Sequence, residues 1–171
     1  MNALDRVDPG VALGRLALAS PIVTASGTYG HGAEVARLGD PSRLGAVTAK
    51  SVSPEPWPGK PAPRLHLAAA GMLNAVGLQG PGMAAWLEHD LPALRATGAR
   101  VIASVWGHSV DDFARAAKML ADADADVIAI EVNASCPNLH TIHEPGALVT
   151  GNQCLKCGLT ANEYGRSSRN S

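Results

Sequence analysis

Lys50, Asn74, Asn133 and Cys136 are the residues of this chain whose types and settings could do chemistry. Lys50 follows directly on an apolar run at residues 44–49 (LGAVTA), where burying an unpaired ammonium would be costly. It is either solvated at a strand end or turned onto a ligand whose negative charge it offsets. Asn74 lies in GMLNAVGLQGPG (residues 71–82), where four glycines and a proline let backbone approach a ligand closely. Its amide has a donor and an acceptor, which suits a planar ring with alternating polar edges; the plainer reading is a turn asparagine. Cys136 sits in NASCPN (residues 133–138), flanked by Asn133 and Asn138, with Pro137 directing the backbone. A free cysteine is most often a small buried hydrophobe. At a strand end beside polar neighbours it can also act as a base or nucleophile.

These residues need a scaffold that brings distant loops together, and the hydrophobic pattern predicts one. Strands are expected at residues 18–24 (LASPIVT), 44–49, 100–105 (RVIASV) and 127–132 (VIAIEV). Helices are expected at residues 33–38, at 82–97 and after Ser109. The second carries Met83, Trp86, Leu87, Leu91 and Leu94 at helical spacing, with Pro92 positioned to kink or split it. In the third, Ser109 and Asp112 form a weaker version of a capping box, and Val110, Phe113, Ala114, Ala117 and Leu120 recur along one face. Residues 53–64 hold five prolines and a glycine and read as loop. Apolar strands alternating with helices predict an α/β fold with a parallel sheet. Polar residues fall where those strands stop: Ser26-Gly27-Thr28, Lys50-Ser51, Ser104 and Asn133 to Asn138. In such folds the carboxyl ends of strands converge on one ligand-binding face.

The chain has 171 residues, of which 46% are hydrophobic and 17% charged, enough apolar material for a real core. A net charge of -1 and the absence of a basic run remove the electrostatic case for nucleic-acid binding. No apolar stretch is long enough to cross a bilayer and no signal pattern opens the chain, so a soluble, cytoplasmic protein is expected. Three cysteines are too few for a disulfide scaffold. Cys154 and Cys157 (CLKC) offer only two ligands, His140 and His143 stand at no metal-binding spacing, and no metal site is expected. The expected division is a domain over residues 1–140 and a poorly structured tail over residues 141–171, which lacks any sustained period.

The motifs ASGTYG (25–30), TAKSVSPEPWPGKPAPR (48–64), GMLNAVGLQGPG (71–82), VIASVWG (101–107) and EVNASCPN (131–138) together resemble the class 1 dihydroorotate dehydrogenases. The MLNAVGL form is most similar to the class 1B catalytic subunit. The resemblance implies an FMN-dependent (β/α)8 TIM barrel that oxidises dihydroorotate to orotate in pyrimidine biosynthesis. It implies cofactor contacts at Ser26, Thr28, Lys50, Ser51, Ser104 and Asn133. Substrate contacts follow at Lys50, Asn74, Ala75, Val76, Gly77, Leu78, Asn133 and Asn138. Cys136 would take a proton from ring carbon 5 while hydride leaves carbon 6 for the flavin. A partner subunit carrying FAD and an iron–sulfur cluster would pass electrons to NAD, within a homo-oligomer or heterotetramer.

The chain departs from the family's pattern in two places. Ser104 stands where many class 1B members carry an asparagine, and serine shortens that reach. A (β/α)8 barrel needs about 250 residues, so only its first half is expected, with the family's later flavin lysine and phosphate loops absent after Asn138. The alternatives are a non-catalytic fragment of that enzyme, or a related FMN-dependent dihydropyrimidine dehydrogenase.

Overall fold

The computed structural model describes residues 8–69, 71–134 and 136. The expected tail at residues 141–171, with Cys154 and Cys157, lies outside the described residues, as do Asn138, Pro137, His140 and His143.

A parallel sheet is the frame. Strand β3 (Val47–Thr48) pairs with β6 (Val101–Val105), which pairs with β7 (Ala129–Val132), both in parallel. A parallel bridge from Val23 to Ala46 adds one more element beyond β3. Side chains alternate across the sheet. Val47, Ala49, Val101, Ala103 and Val105 pack into the main core with the helices, while Thr48 and Ser104 take the other positions and are nonetheless buried. Residues 45–49 are all buried, as an apolar strand covered on both faces requires. Among the described residues the sheet does not close into a barrel. β7 is paired only with β6, and Ile130 and Val132 on it are exposed.

The first strand is much shorter than the run at residues 18–24 implies. Leu18 belongs instead to an antiparallel hairpin of β1 (Val11–Leu13) and β2 (Leu16–Leu18). Gly14 supplies the positive φ of 59° that its two-residue turn needs. Pro21 has no N–H to give a sheet, and Ser20 Oγ accepts from the Ile22 amide, so the run turns before Val23 makes its single bridge. A second hairpin, β4 (Leu65–Ala68) with β5 (Gly71–Asn74), follows the proline-rich segment directly, and its residues are exposed throughout. The helix expected at residues 33–38 is only a 3₁₀ turn at Ala36–Leu38.

Pro92 has the expected effect by an unusual route. The helix runs through α1 (Met83–Ala85), a π-helical segment (Trp86–Asp90) and α2 (Leu91–Arg95). Widening the turn just before the proline is a local solution to its missing N–H and ring clash. Met83, Trp86, Leu91 and Leu94 are buried on the inner face, with Leu87 packed against them. Helix α3 (Val110–Asp122) carries the full capping box of Ser109 and Asp112. Its inner face is rotated from the expected one. Phe113, Ala116, Met119 and Leu120 meet the core, while Val110, Ala114 and Ala117 face outward. Alanine is apolar enough to fit either face, so spacing alone does not choose between them.

Candidate active site

The carboxyl ends of β3 and β7, the 26–27 turn and the 74–78 loop surround a cavity of about 440 Å³, within the size range of small-molecule sites. It is lined by Ser26, Gly27, Lys50, Ser51, Asn74, Val76, Gly77, Leu78, Glu131, Val132, Asn133 and Cys136. Sheet geometry explains the convergence: parallel strands deliver the residues after Thr48 and Val132 to the same end of the sheet. Lys50 is half-buried there, its amide bonded to the Gly30 carbonyl at 2.8 Å. Cys136 is a free, half-buried cysteine beyond the end of β7.

Of the residues expected at the site, Ser26, Lys50, Ser51, Asn74, Val76, Gly77, Leu78, Asn133 and Cys136 line this cavity. Thr28, Ala75 and Ser104 do not. Thr28 Oγ1 donates to the Ala25 carbonyl of its own turn at 2.6 Å, and Ala75 gives its N–H to the Arg64 carbonyl. Ser104 reaches the site only through Ser51, at 2.8 Å. Glu131 joins the lining without having been expected there, although a carboxylate inside the otherwise apolar strand VIAIEV is a visible signal.

Ser51 is the hub of a buried hydroxyl network. Its Oγ lies 3.0 Å from Ser26 Oγ and 2.8 Å from Ser104 Oγ, and it accepts from Asn133 Nδ2 at 2.9 Å. A hydroxyl has one proton to donate and two lone pairs. One arrangement satisfies every group: Ser104 donates to Ser51, Ser51 to Ser26, and Ser26 to the Ala49 carbonyl at 3.3 Å. The Ser51 hydroxyl is thereby saturated by protein, and it fixes the Asn133 amide from behind.

The 74–80 loop is held from outside by the proline-rich segment. Trp57 and Gly80 exchange both backbone hydrogen bonds, Lys60 N–H donates to the Val76 carbonyl, and Trp57 Nε1 donates to the Gly77 carbonyl at 2.9 Å. Arg64 adds a 2.6 Å bond to Gln79 Oε1. Gly77 and Leu78 have φ of 73° and 54°. The left-handed region costs a residue such as leucine roughly 1–2 kcal/mol, so this loop's shape is imposed by its surroundings.

A second cavity, of about 850 Å³, shares Gly27 and Lys50 with the first and adds His31, Glu34, Trp57, Gln79 and Asp90. Burial, and then the nearby Lys50 ammonium, push His31 below its ordinary pKa of 6.5, against the pull of Asp90 and Glu34. Burial would raise the Glu34 carboxyl, but the amides of Gly32 and His31 outweigh it and hold it low. Asp90 is raised, chiefly by burial. A histidine lowered in the folded state binds fewer protons there than in the unfolded chain, so stability rises with pH across that interval. The His31 contribution should therefore lower denaturation midpoints as pH drops from about 7 to about 5, while Asp90, raised by burial, contributes in the opposite sense. His31→Gln should flatten that slope; an unchanged slope would assign it elsewhere. Among the described residues no group of His, Cys, Asp and Glu is arranged to hold a metal ion. No helix among them is long and apolar enough to cross a membrane.

Comparison with known proteins places this chain in a family. The dihydroorotate dehydrogenase family model matches residues 11–148. The dihydroorotate dehydrogenase B (NAD(+)) catalytic subunit of Alkaliphilus metalliredigens is 41% identical over 136 residues, covering 80% of this chain and 44% of that protein. The Lachnoclostridium phytofermentans subunit of the same name is 41% identical over 163 residues, 95% of this chain and 52% of its own length. That of Listeria welshimeri is 44% identical over 139 residues, covering 81% and 44%. The chain thus spans about half the length of the curated relatives it matches. With strand-end residues converging on one cavity and the family match running through them, this chain belongs to the dihydroorotate dehydrogenase family.

Proposed function

We propose that the cavity at the strand ends is the dihydroorotate-oxidising site, or the part of it that this chain contributes. The observation that carries the reading is the convergence of Lys50, Asn74, Asn133 and Cys136 on one cavity from separate segments. Oxidation of a saturated carbon pair removes a proton from one carbon and a hydride from its neighbour. Cys136 is our candidate to take the proton, since it lies in the same cavity as the proposed ring-binding amides. Asn74 and the Gly77–Leu78 backbone hold the ring, and Lys50 offsets the charge of its carboxylate.

The residues present fit an FMN ring. Ser26, Gly27, Lys50 and Asn133 form a polar wall with one cation, and the Ser51 network holds Asn133 in place. When bound, FMN would supply the acceptor for the hydride. Lys50, Ser26 and Asn133 would hold the cofactor, and Ser51 and Ser104 would act through them. The relatives' designation as NAD(+) catalytic subunits supports a partner subunit, which the family resemblance would furnish with FAD and an iron–sulfur cluster in a cytoplasmic heterotetramer.

The test is to purify the chain with FMN, remove the excess and record the flavin's visible absorbance. Retained flavin that bleaches on adding dihydroorotate is the expected result if this chain forms the complete site; a chain that retains none would overturn that and leave only a site completed by another segment. Lys50→Gln should weaken FMN retention by about 10- to 100-fold, the size of one lost charge-assisted hydrogen bond. Equal retention by the variant would remove Lys50 from the cofactor site. Among the described residues β7 has no partner on its outer edge, which favours a second reading, in which these residues keep the site's geometry but act only once another segment pairs with that edge.

A further inference from the structure

We propose that Trp57 is a positioning residue for the ligand loop, holding the Gly77–Leu78 peptide so that its N–H is offered to an oxygen of the bound ring. This rests on the reading that the first cavity takes a ring carboxylate such as orotate. The Trp57 indole N–H donates to the Gly77 carbonyl at 2.9 Å. In a trans peptide the carbonyl and the following N–H point in opposite directions, so the Leu78 N–H is turned away from Trp57. It has no protein acceptor among the described residues. Gly77 and Leu78 line the first cavity, whereas Trp57 lines the second. Rotating that peptide would present a carbonyl to the ligand in place of a donor.

The tryptophan is itself anchored. Its ring packs edge-on against Trp106 at 6.0 Å and His108 at 4.9 Å, and those two rings lie 5.1 Å apart. Trp106 is buried directly after β6, so the indole ties the loop to the sheet. Gly59 lets the two segments come this close, since a Cβ there would clash with the Val76 carbonyl oxygen.

The experiment uses the 171-residue chain with Trp57→Phe, which keeps a ring and removes the donor. Amide hydrogen exchange is read at Ala75 and Gly80, whose N–H groups bond to the proline-rich segment, and orotate affinity is read beside FMN retention. The expected result is about fivefold faster exchange at those amides, unchanged exchange in β6, and orotate binding weakened about fivefold with FMN retention unaltered. A general packing defect would move both ligands together. If the phenylalanine variant does not fold, β-(3-benzothienyl)alanine in place of Trp57 exchanges the N–H for sulfur at nearly constant shape. His108→Ala, which removes a ring contact but leaves the donor, should stay within about twofold of the parent. Unchanged exchange or unchanged orotate affinity in the donor-less variants would overturn the proposal, as would an equal effect from His108→Ala. If neither parent nor variant binds orotate while exchange still differs, the loop clamp stands and the functional reading fails.

Discussion

Cys136→Ala should slow dihydroorotate-dependent bleaching of the FMN-loaded chain by about 10²- to 10⁴-fold, the range for removing a positioned general base. Orotate affinity should change little, because most of the groups proposed to hold the ring (Asn74, the 77–78 backbone and Lys50) lie on other segments of the cavity wall. That split separates a base from a binding group. Cys136→Ser should recover little, since a serine hydroxyl is a far poorer proton acceptor than a thiolate. A bleaching rate in Cys136→Ala equal to the parent's would remove this residue from the proton transfer. Glu131 would then be the next candidate, as the carboxylate lining the same cavity.

Trp86→Ala should unfold the chain or leave it barely folded. Trp86 is fully buried in the main core, and its Nε1 donates to the His31 carbonyl at 2.8 Å. Removing a buried tryptophan costs about 3–5 kcal/mol, a large part of the roughly 5–15 kcal/mol that holds a domain together. Trp86→Phe, which keeps most of the apolar volume and loses the hydrogen bond, should cost less. Urea midpoints of the two variants against the parent measure the difference. Near-parental stability of Trp86→Ala would show that the helix through Pro92 is not packed as described.

Much of the site is legible in the sequence, because its residues stand at strand ends and strand ends are readable. The apolar runs at 44–49, 100–105 and 127–132 contain β3, β6 and β7, and parallel pairing follows from the helices between them. Lys50, Asn133 and Cys136 then fall at one end of the sheet by topology alone. Ser109 and Asp112 mark the start of α3 for a related reason: capping is a local exchange between neighbours in sequence. The hairpins are not legible. β1 and β2 are short and largely outward-facing, and β4 and β5 are exposed throughout, so the Leu65-His66-Leu67 alternation in β4 marks no buried face.

The sequence by itself determined the family, the parallel strands and the residue types at their ends, since these depend on local pattern and on motifs contiguous in the chain. Tertiary structure decided which of those residues face the cavity and which stand behind them. Ser104 and Thr28 carry hydroxyls as good as that of Ser26, yet one is turned onto Ser51 and the other onto its own turn. It also decided that Trp57, far from Gly77 in sequence, grips the loop's carbonyl, and that His31 lies half-buried near Lys50. Hydrogen-bond direction and burial depend on what the chain brings alongside from elsewhere, and no spacing along one segment encodes them.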